Sequence, residues 1–244
     1  MTQEINWSQK IGEALQEDNE NHEEHDEDTN DGVFHASWLG YCQRNILLSK
    51  QGIKENDAES LGRFMTGTLI HEFMEHEVSD FLPDHVESEE AIPEVEQGDL
   101  TFVGTADAVD HENEVIYDFK TRASWYRFEP PIDRHLDQLQ IYMEAFGYDK
   151  AKVIYISKGD MEVKTWPEEE GEFIERDSSS YYQLAAKAYE VYDFIQNHGG
   201  IDSIEELNEA FKPCDNFFCG DEKLTIDTSQ EEDSQEDSED GSED

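Results

Sequence analysis

Asp107, Asp118 and Lys120 are the residues whose types and spacing could do chemistry. They lie in GTADAVDHENEVIYDFKTR, residues 104–122. Residues two apart in a strand share a face, so Asp118 and Lys120 project together. A two-residue turn at Glu112-Asn113 would pair the flanking strands so that Asp107 stands opposite Asp118. Two carboxylates facing each other across a sheet sit about 5 Å apart and repel, and partial burial worsens the conflict. A divalent cation removes it. Oxygen ligands in this arrangement suit Mg²⁺ or Mn²⁺, which bind through one or two carboxylates, waters and phosphate oxygens. Lys120 beside such an ion could orient an attacking water or stabilise charge developing on phosphorus. On spacing alone, an ordinary acidic surface hairpin fits as well, because D-x-K is a short motif in an acid-rich chain.

The elements that must position these residues are legible from periodicity. Ser37 can cap a helix running to about Lys50, with Trp38, Leu39, Cys42 and Ile46 on one face and Gly52 ending it. A second helix is expected from Asp57 to Phe81, where Leu61, Met65, Leu69, Phe73 and Val78 recur near helical spacing. The pattern then turns to strands. Residues 85–96 alternate weakly, Gln97-Gly98-Asp99 signals a turn, and 100–110 with 114–121 read as a hairpin. An amphipathic helix over 133–148 follows, with Leu136, Leu139, Met143 and Phe146 inward, then a strand pair at 152–157 and 161–166. Residues 168–196 read as mostly helical with a break near 177–180, and a short helix covers 202–211.

Four more polar residues enter the argument. His71 lies mid-helix four residues after Gly67, in GTLIHEF. Gln138 and Tyr142 are four apart and share a helix face, which His135 joins one turn earlier. The ordered set is Tyr41-Cys42-Gln43-Arg44, Gly67 to His71, Gly104-Thr105-Ala106-Asp107, Asp118-Phe119-Lys120-Thr121 and Gln138 to Tyr142. This set resembles the RecB-like branch of the PD-(D/E)XK nuclease superfamily over residues 35–220, and most closely the CRISPR-associated RecB-like exonucleases. The resemblance implies an α/β fold: a restriction-endonuclease-like mixed central sheet flanked by helices, with an N-terminal helical part. It implies His71, Asp107 and Asp118 as metal ligands, with the Phe119 carbonyl adding one, and Lys120 as the catalytic lysine. Gln138 and Tyr142 would support the site or contact DNA. The implied reaction is hydrolysis of a DNA phosphodiester by water that a Mg²⁺ or Mn²⁺ ion activates, on single-stranded ends.

The three cysteines, Cys42, Cys214 and Cys219, are too few and too unevenly placed for a disulfide framework. In the family that the motifs resemble, one early and three late cysteines hold a [4Fe-4S] cluster. Here Phe211 stands three residues before Cys214, and phenylalanine cannot ligate metal, so the cysteine set is incomplete. Three readings stay open: a cluster with another ligand such as Asp215, a degenerate or zinc-filled site, or three packed cysteines.

Charge bounds the setting. The net charge is -45, with 62 acids against 17 lysines and arginines. Acids without bases fill residues 13–31 and 228–244, so residues 1–34 are expected to be an acidic mobile arm and 228–244 a disordered tail around a 35–227 domain. The domain between them is acidic as well, which is how proteins stay solvated in molar salt. A halophilic, salt-filled cytoplasm is therefore expected, where the Debye length is about 3 Å and an acidic surface repels DNA only weakly. No run approaches the ~20 apolar residues of a membrane span, and the N-terminus has no apolar signal region. The expected partners are DNA, especially single-stranded ends, and CRISPR integrase proteins, with repair, recombination or viral replication as other settings. A weakly catalytic DNA-end-binding adaptor is the second function these motifs allow. A structural metal-binding protein, whose acids merely solvate it, is a third.

Overall fold

The computed structural model describes residues 32–51, 58–199, 201, 203–212 and 214. Gly52, Asp215, Cys219, the arm before Gly32 and the acidic tail lie outside the described residues.

The chain enters through strand β1 (Val33–His35), helix α1 (Ala36–Leu39) and helix α2 (Gln43–Lys50). Val33 and Phe34, expected in the arm, are thus part of a strand, and the Phe34 side chain is fully buried. The single helix expected over 37–50 is two, parted at Gly40 and Tyr41. A Cβ at Gly40 would stand 2.6 Å from both Cβ and the carbonyl oxygen of Arg134, so this turn lies directly against the later helix α4 (Asp133–Phe146).

Helix α3 (Ala58–Phe73) carries Gly67 and His71, and it runs on through a π-helical turn, Met74–Val78, and a 3₁₀ turn, Ser79–Phe81. Its recurring apolar residues do not share one buried face. Leu61 and Ile70 are buried, while Met65, Leu69 and Phe73 are exposed. The helix is rotated so that the Gly67 and His71 side meets the sheet, and Met65, Leu69 and Phe73, each two residues from one of them, point outward.

Two sheets follow. A small one has the order β1-β4-β3, from β3 (Val95–Gln97) and β4 (Leu100–Val103) with β1. The main sheet has the order β2-β5-β6-β7-β8, from β2 (Val86–Ala91), β5 (Thr105–Asp110), β6 (Val115–Arg122), β7 (Lys150–Ser157) and β8 (Val163–Trp166). Strand β9 (Ile174–Glu175) pairs with the start of β7. The run 100–110, expected as one strand, is divided at Gly104 between the two sheets. Strands β6 and β7 are parallel and α4 crosses between them, the usual solution for joining parallel neighbours.

Residues 168–176 are not helical. Helix α5 (Ser178–His198) begins where Asp177 accepts the Ser179 amide at 2.9 Å, so the expected mid-helix break is an N-cap. Helix α6 (Ile204–Ala210) is capped the same way by Ser203. The core is continuous: Phe34, Leu39, Ile46 and Leu47 meet Phe102, Leu139, Tyr181 and Leu207. The architecture is the expected mixed central sheet flanked by helices. Among the described residues, no helix is long and apolar enough to cross a membrane.

Candidate active site

Strands β5 and β6 pair with Ala108 opposite Tyr117, Val109 opposite Ile116 and Asp110 opposite Val115. This is the register expected from the sequence, although the connection is the longer turn 111–114. One step further along, Asp107 and Asp118 meet on one face. The regular ladder gives way there, because the Asp107 carboxylate Oδ2 accepts the Phe119 amide. In a strand, the amide and carbonyl of one residue point to the same edge, so the Phe119 carbonyl also faces the Asp107 side.

Asp118 is 1% exposed. Its Oδ1 accepts from Lys120 Nζ at 2.8 Å, while its Oδ2 is buried without a hydrogen-bond partner. Burial pushes the Asp118 carboxyl up to about 6; Lys120 opposes this, and Asp107 adds to it. For Lys120 burial acts against the charge, but the Asp118 and Asp107 carboxylates outweigh it and hold the ammonium above its ordinary value. Lysine 120 is therefore a cation at neutral pH.

Helix α3 closes the site from above. His71 Nδ1 lies 3.6 Å from Asp107 Oδ1. Its pKa is raised, first by the Asp107 carboxylate beside it. Glu89, which the sequence did not single out, completes a group with His71 and Asp107 whose ligand atoms all lie within 4.8 Å of one another. It sits opposite Asp107, between the pairs Ser88–Ala108 and Glu90–Ala106. Its φ of 51° is in the left-handed region, where a side chain other than glycine is strained. Partial burial, a hydrogen bond with Glu75 and the charge of Asp107 push the Glu89 carboxyl up to about 7. The weak alternation of 85–96 was the only sequence signal, and it did not distinguish Glu89 from its acidic neighbours.

Gln138 and Tyr142 form the expected pair on α4. Gln138 Nε2 donates to Tyr142 Oη at 2.6 Å, and that hydroxyl donates to the Thr105 carbonyl at 2.7 Å. Both are buried, and they tie α4 to the start of the strand that carries Asp107. The cysteines lie in another part of the chain. Cys42 and Cys214 bring their sulfurs to 3.3 Å, longer than the ~2.05 Å of a disulfide. Phe211, at the position where the resembled family has a ligand, packs edge-to-face on Phe194.

His135 is buried one turn before Gln138, with Nδ1 3.2 Å from Tyr155 Oη. Burial, then the charges of Lys120, Arg134 and Arg122, drive its pKa down from 6.5 to about 2. It is neutral in the fold, whereas in the unfolded chain it takes up a proton near 6.5. The stability from this difference is present above that value and lost as pH falls below it, by about 1.4 kcal/mol per unit. Urea unfolding of wild type and His135→Phe between about pH 8 and pH 5 should differ by roughly 2 kcal/mol more at the acid end. Parallel pH dependences would show that His135 is not held neutral.

A buried carboxylate salt-bridged to a lysine lies on one strand of this α/β fold, with a second carboxylate opposite and a histidine above, a set of groups that could hold a cation. The chain belongs to the PD-(D/E)XK nuclease superfamily, whose family model matches residues 69–220. It is similar in fold to the crystal structure of SSO0001, at 20% identity and a TM-score of 0.51, over 79% of this chain and 87% of that one. Weaker likenesses are an alkaline exonuclease from Laribacter hongkongensis (14% identity, TM-score 0.44, 74% of this chain and 94% of that one). Another is a phage-related exonuclease from Haemophilus somnus 129PT (15% identity, TM-score 0.38, 56% and 73%). No curated protein sequence matches the chain.

Proposed function

We propose that this protein is a Mg²⁺- or Mn²⁺-dependent deoxyribonuclease acting on single-stranded DNA ends. The observation that carries the reading is the Asp118 carboxylate, almost fully buried, with one oxygen on Lys120 and the other lacking a partner. An orphaned buried carboxylate oxygen is unfavourable in a finished fold. It fits a site meant to hold a cation beside His71, Glu89 and Asp107, the three residues whose ligand atoms converge; Asp118 lies outside that group and would join it with the Phe119 carbonyl. A divalent ion bound there would supply Lewis-acid charge to a phosphodiester and to the attacking water.

The chain's own groups supply the rest. Lys120, held as a cation, stabilises negative charge growing on the phosphoryl oxygens rather than abstracting a proton. Asp107 fixes the Phe119 backbone by accepting its amide. Gln138 and Tyr142 act as supports, since both are buried. End-labelled single- and double-stranded DNA incubated with Mg²⁺, Mn²⁺ or EDTA in molar KCl tests the reading. Metal-dependent shortening of the single strand is expected. Absence of cleavage under every metal condition, with DNA still bound, would favour the end-binding adaptor instead.

Three finer readings belong with this proposal. Processing of DNA ends in CRISPR adaptation, beside an integrase, is the setting that the motif order favours over repair, recombination or viral replication. The charge of -45 favours a halophilic cytoplasm. The approach of Cys42 to Cys214 places two of the three cysteines together, as an iron–sulfur site, a zinc site or packed thiols all require, and the iron–sulfur site is the one that colour tests. A brown anaerobic preparation with a broad visible absorption band would support that cluster, and a colourless iron-free one would refute it.

A further inference from the structure

Of 17 lysines and arginines in the chain, four fall between residues 120 and 134, against only Glu129 and Asp133. The fold gathers more around them. Lys120, Tyr155 and Lys164 form one row across β6, β7 and β8, and Arg122 is paired with Ser157 at the next rung but one. A Cβ at Gly67 would stand 3.3 Å from Lys158 Nζ and from Thr121 Oγ1, which brings Lys158 to the His71 helix.

Among the described residues, four of these cations lie against rings, not carboxylates, as Lys150 and Lys152 do on Phe173. Arg176, elsewhere, sits between Glu144 and Asp149. By contrast, no carboxylate among the described residues makes an ion pair with Arg122, Arg127, Arg134 or Lys164. They lie on aromatic faces. Arg122 is 4.2 Å from the Phe128 ring, Lys164 is 4.5 Å from Trp125, and Arg127 is 5.0 Å from Tyr126. A base on an aromatic ring keeps its charge available to an anionic partner, and this set, unlike Lys150 and Lys152, adjoins the row that carries Lys120. The Arg122 Nε and Trp125 Nε1 donors also have no acceptor within the described protein. Tyr126, at the tip of the segment, is 76% exposed.

We propose that this basic and aromatic surface, running from Lys120 over Arg122, Trp125, Tyr126 and Arg127 to Lys164, is the track on which a single nucleic-acid strand lies as it leaves the cation site. The inference rests on the nuclease reading for its direction, but not for its chemistry. Phosphates meet Arg127 and Lys164, and a base stacks on Tyr126. A single strand offers free base faces to such a ring, whereas a duplex keeps them inside its own stack.

The test uses the full chain, a fluorescent single-stranded DNA oligonucleotide of about 15 nucleotides and a hairpin duplex of the same length. Affinity is read by anisotropy in EDTA, so that nothing is cut. Tyr126→Ala is expected to weaken single-strand binding about tenfold and Tyr126→Phe to leave it near wild type, as stacking requires. Arg127→Ala should lower the slope of log affinity against log salt by about 0.7, the share of one phosphate contact. With metal, both alanine variants should raise KM and leave kcat within about twofold. Both positions are exposed, and thermal melts matching wild type exclude misfolding.

Wild type that cleaves DNA while the variants bind and cleave unchanged would overturn the track and leave the nuclease reading intact. Wild type that never cleaves, yet loses strand binding in these variants, would overturn the nuclease reading and leave the track. Failure of wild type to bind the strand at any salt, or equal losses for the duplex, would overturn the track as stated.

Discussion

Lys120→Ala is expected to reduce single-turnover DNA cleavage by about a thousandfold while leaving the protein able to bind Mn²⁺. Removing one preorganised cationic donor from a site of low dielectric typically lowers a rate by ~10²–10³, and among the described residues Lys120 is the cation hydrogen-bonded to the buried carboxylate. The two effects separate for an electrostatic reason. Lys120 opposes a second positive charge beside Asp118, so its loss favours cation binding. It also leaves Asp118 buried and unpaired, a change that costs about 3–5 kcal/mol when nothing else compensates. A cation would compensate. The variant should therefore melt well below wild type in EDTA and recover more than wild type does when Mn²⁺ is added. Asp107→Ala should behave in the opposite sense, losing Mn²⁺ affinity along with activity. Cleavage by Lys120→Ala within tenfold of wild type would remove lysine from the proposed chemistry.

Much of this site was legible because short-range rules govern it. Alternation over 104–110 and 115–121, with an acid-rich turn between, suffices to set Asp107 against Asp118. The register holds even though the turn is longer than the one assumed. Gln138 and Tyr142 were readable because four-residue spacing on a helix is enough to make them touch. Glu89 was not readable. Its place opposite Asp107 depends on which strand pairs with β5, and its left-handed φ depends on the surroundings rather than on its own type.

The misread segments share a cause. Residues 168–176 carry helix-forming glutamates, yet the chain there runs extended into β9 beside Lys150 and Ala151. Sheet pairing overrides a weak local preference. The apolar residues of α3 recur at helical spacing, but with Gly67 and His71 facing the sheet Met65, Leu69 and Phe73 point outward. Likewise, Leu100–Asp110 reads as one alternating strand, and only the tertiary arrangement shows that its two halves serve different sheets. Periodicity reports that a face exists. What covers the face is decided by elements distant in sequence.

Arg44 offers the largest expected effect on stability. It is fully buried, a rare state for arginine. Its Nη1 donates to Asn208 Oδ1 at 2.6 Å and to the Phe211 carbonyl at 3.3 Å, which ties α2 to the end of α6 across more than 160 residues of chain. A guanidinium in such a place holds because its hydrogen bonds are met. Removing it strands the acceptors and opens a cavity. Arg44→Ala should lower unfolding free energy by about 3–5 kcal/mol, which for a domain of this size is roughly a 10 °C fall in Tm. Asn208→Ala removes only one partner and should cost about 1–3 kcal/mol. The double variant should fall short of the sum, because the two side chains share one hydrogen bond. The same link stands beside Cys42 and Cys214, whose sulfurs are 3.3 Å apart. Its loss should therefore release the C-terminal segment before the sheet melts, seen as earlier proteolysis after Ala210 than within β6 or β7. Arg44→Ala melting within about 1 kcal/mol of wild type, or strictly additive losses, would mean that the packing of Leu207 and Phe211 alone holds this end of the chain.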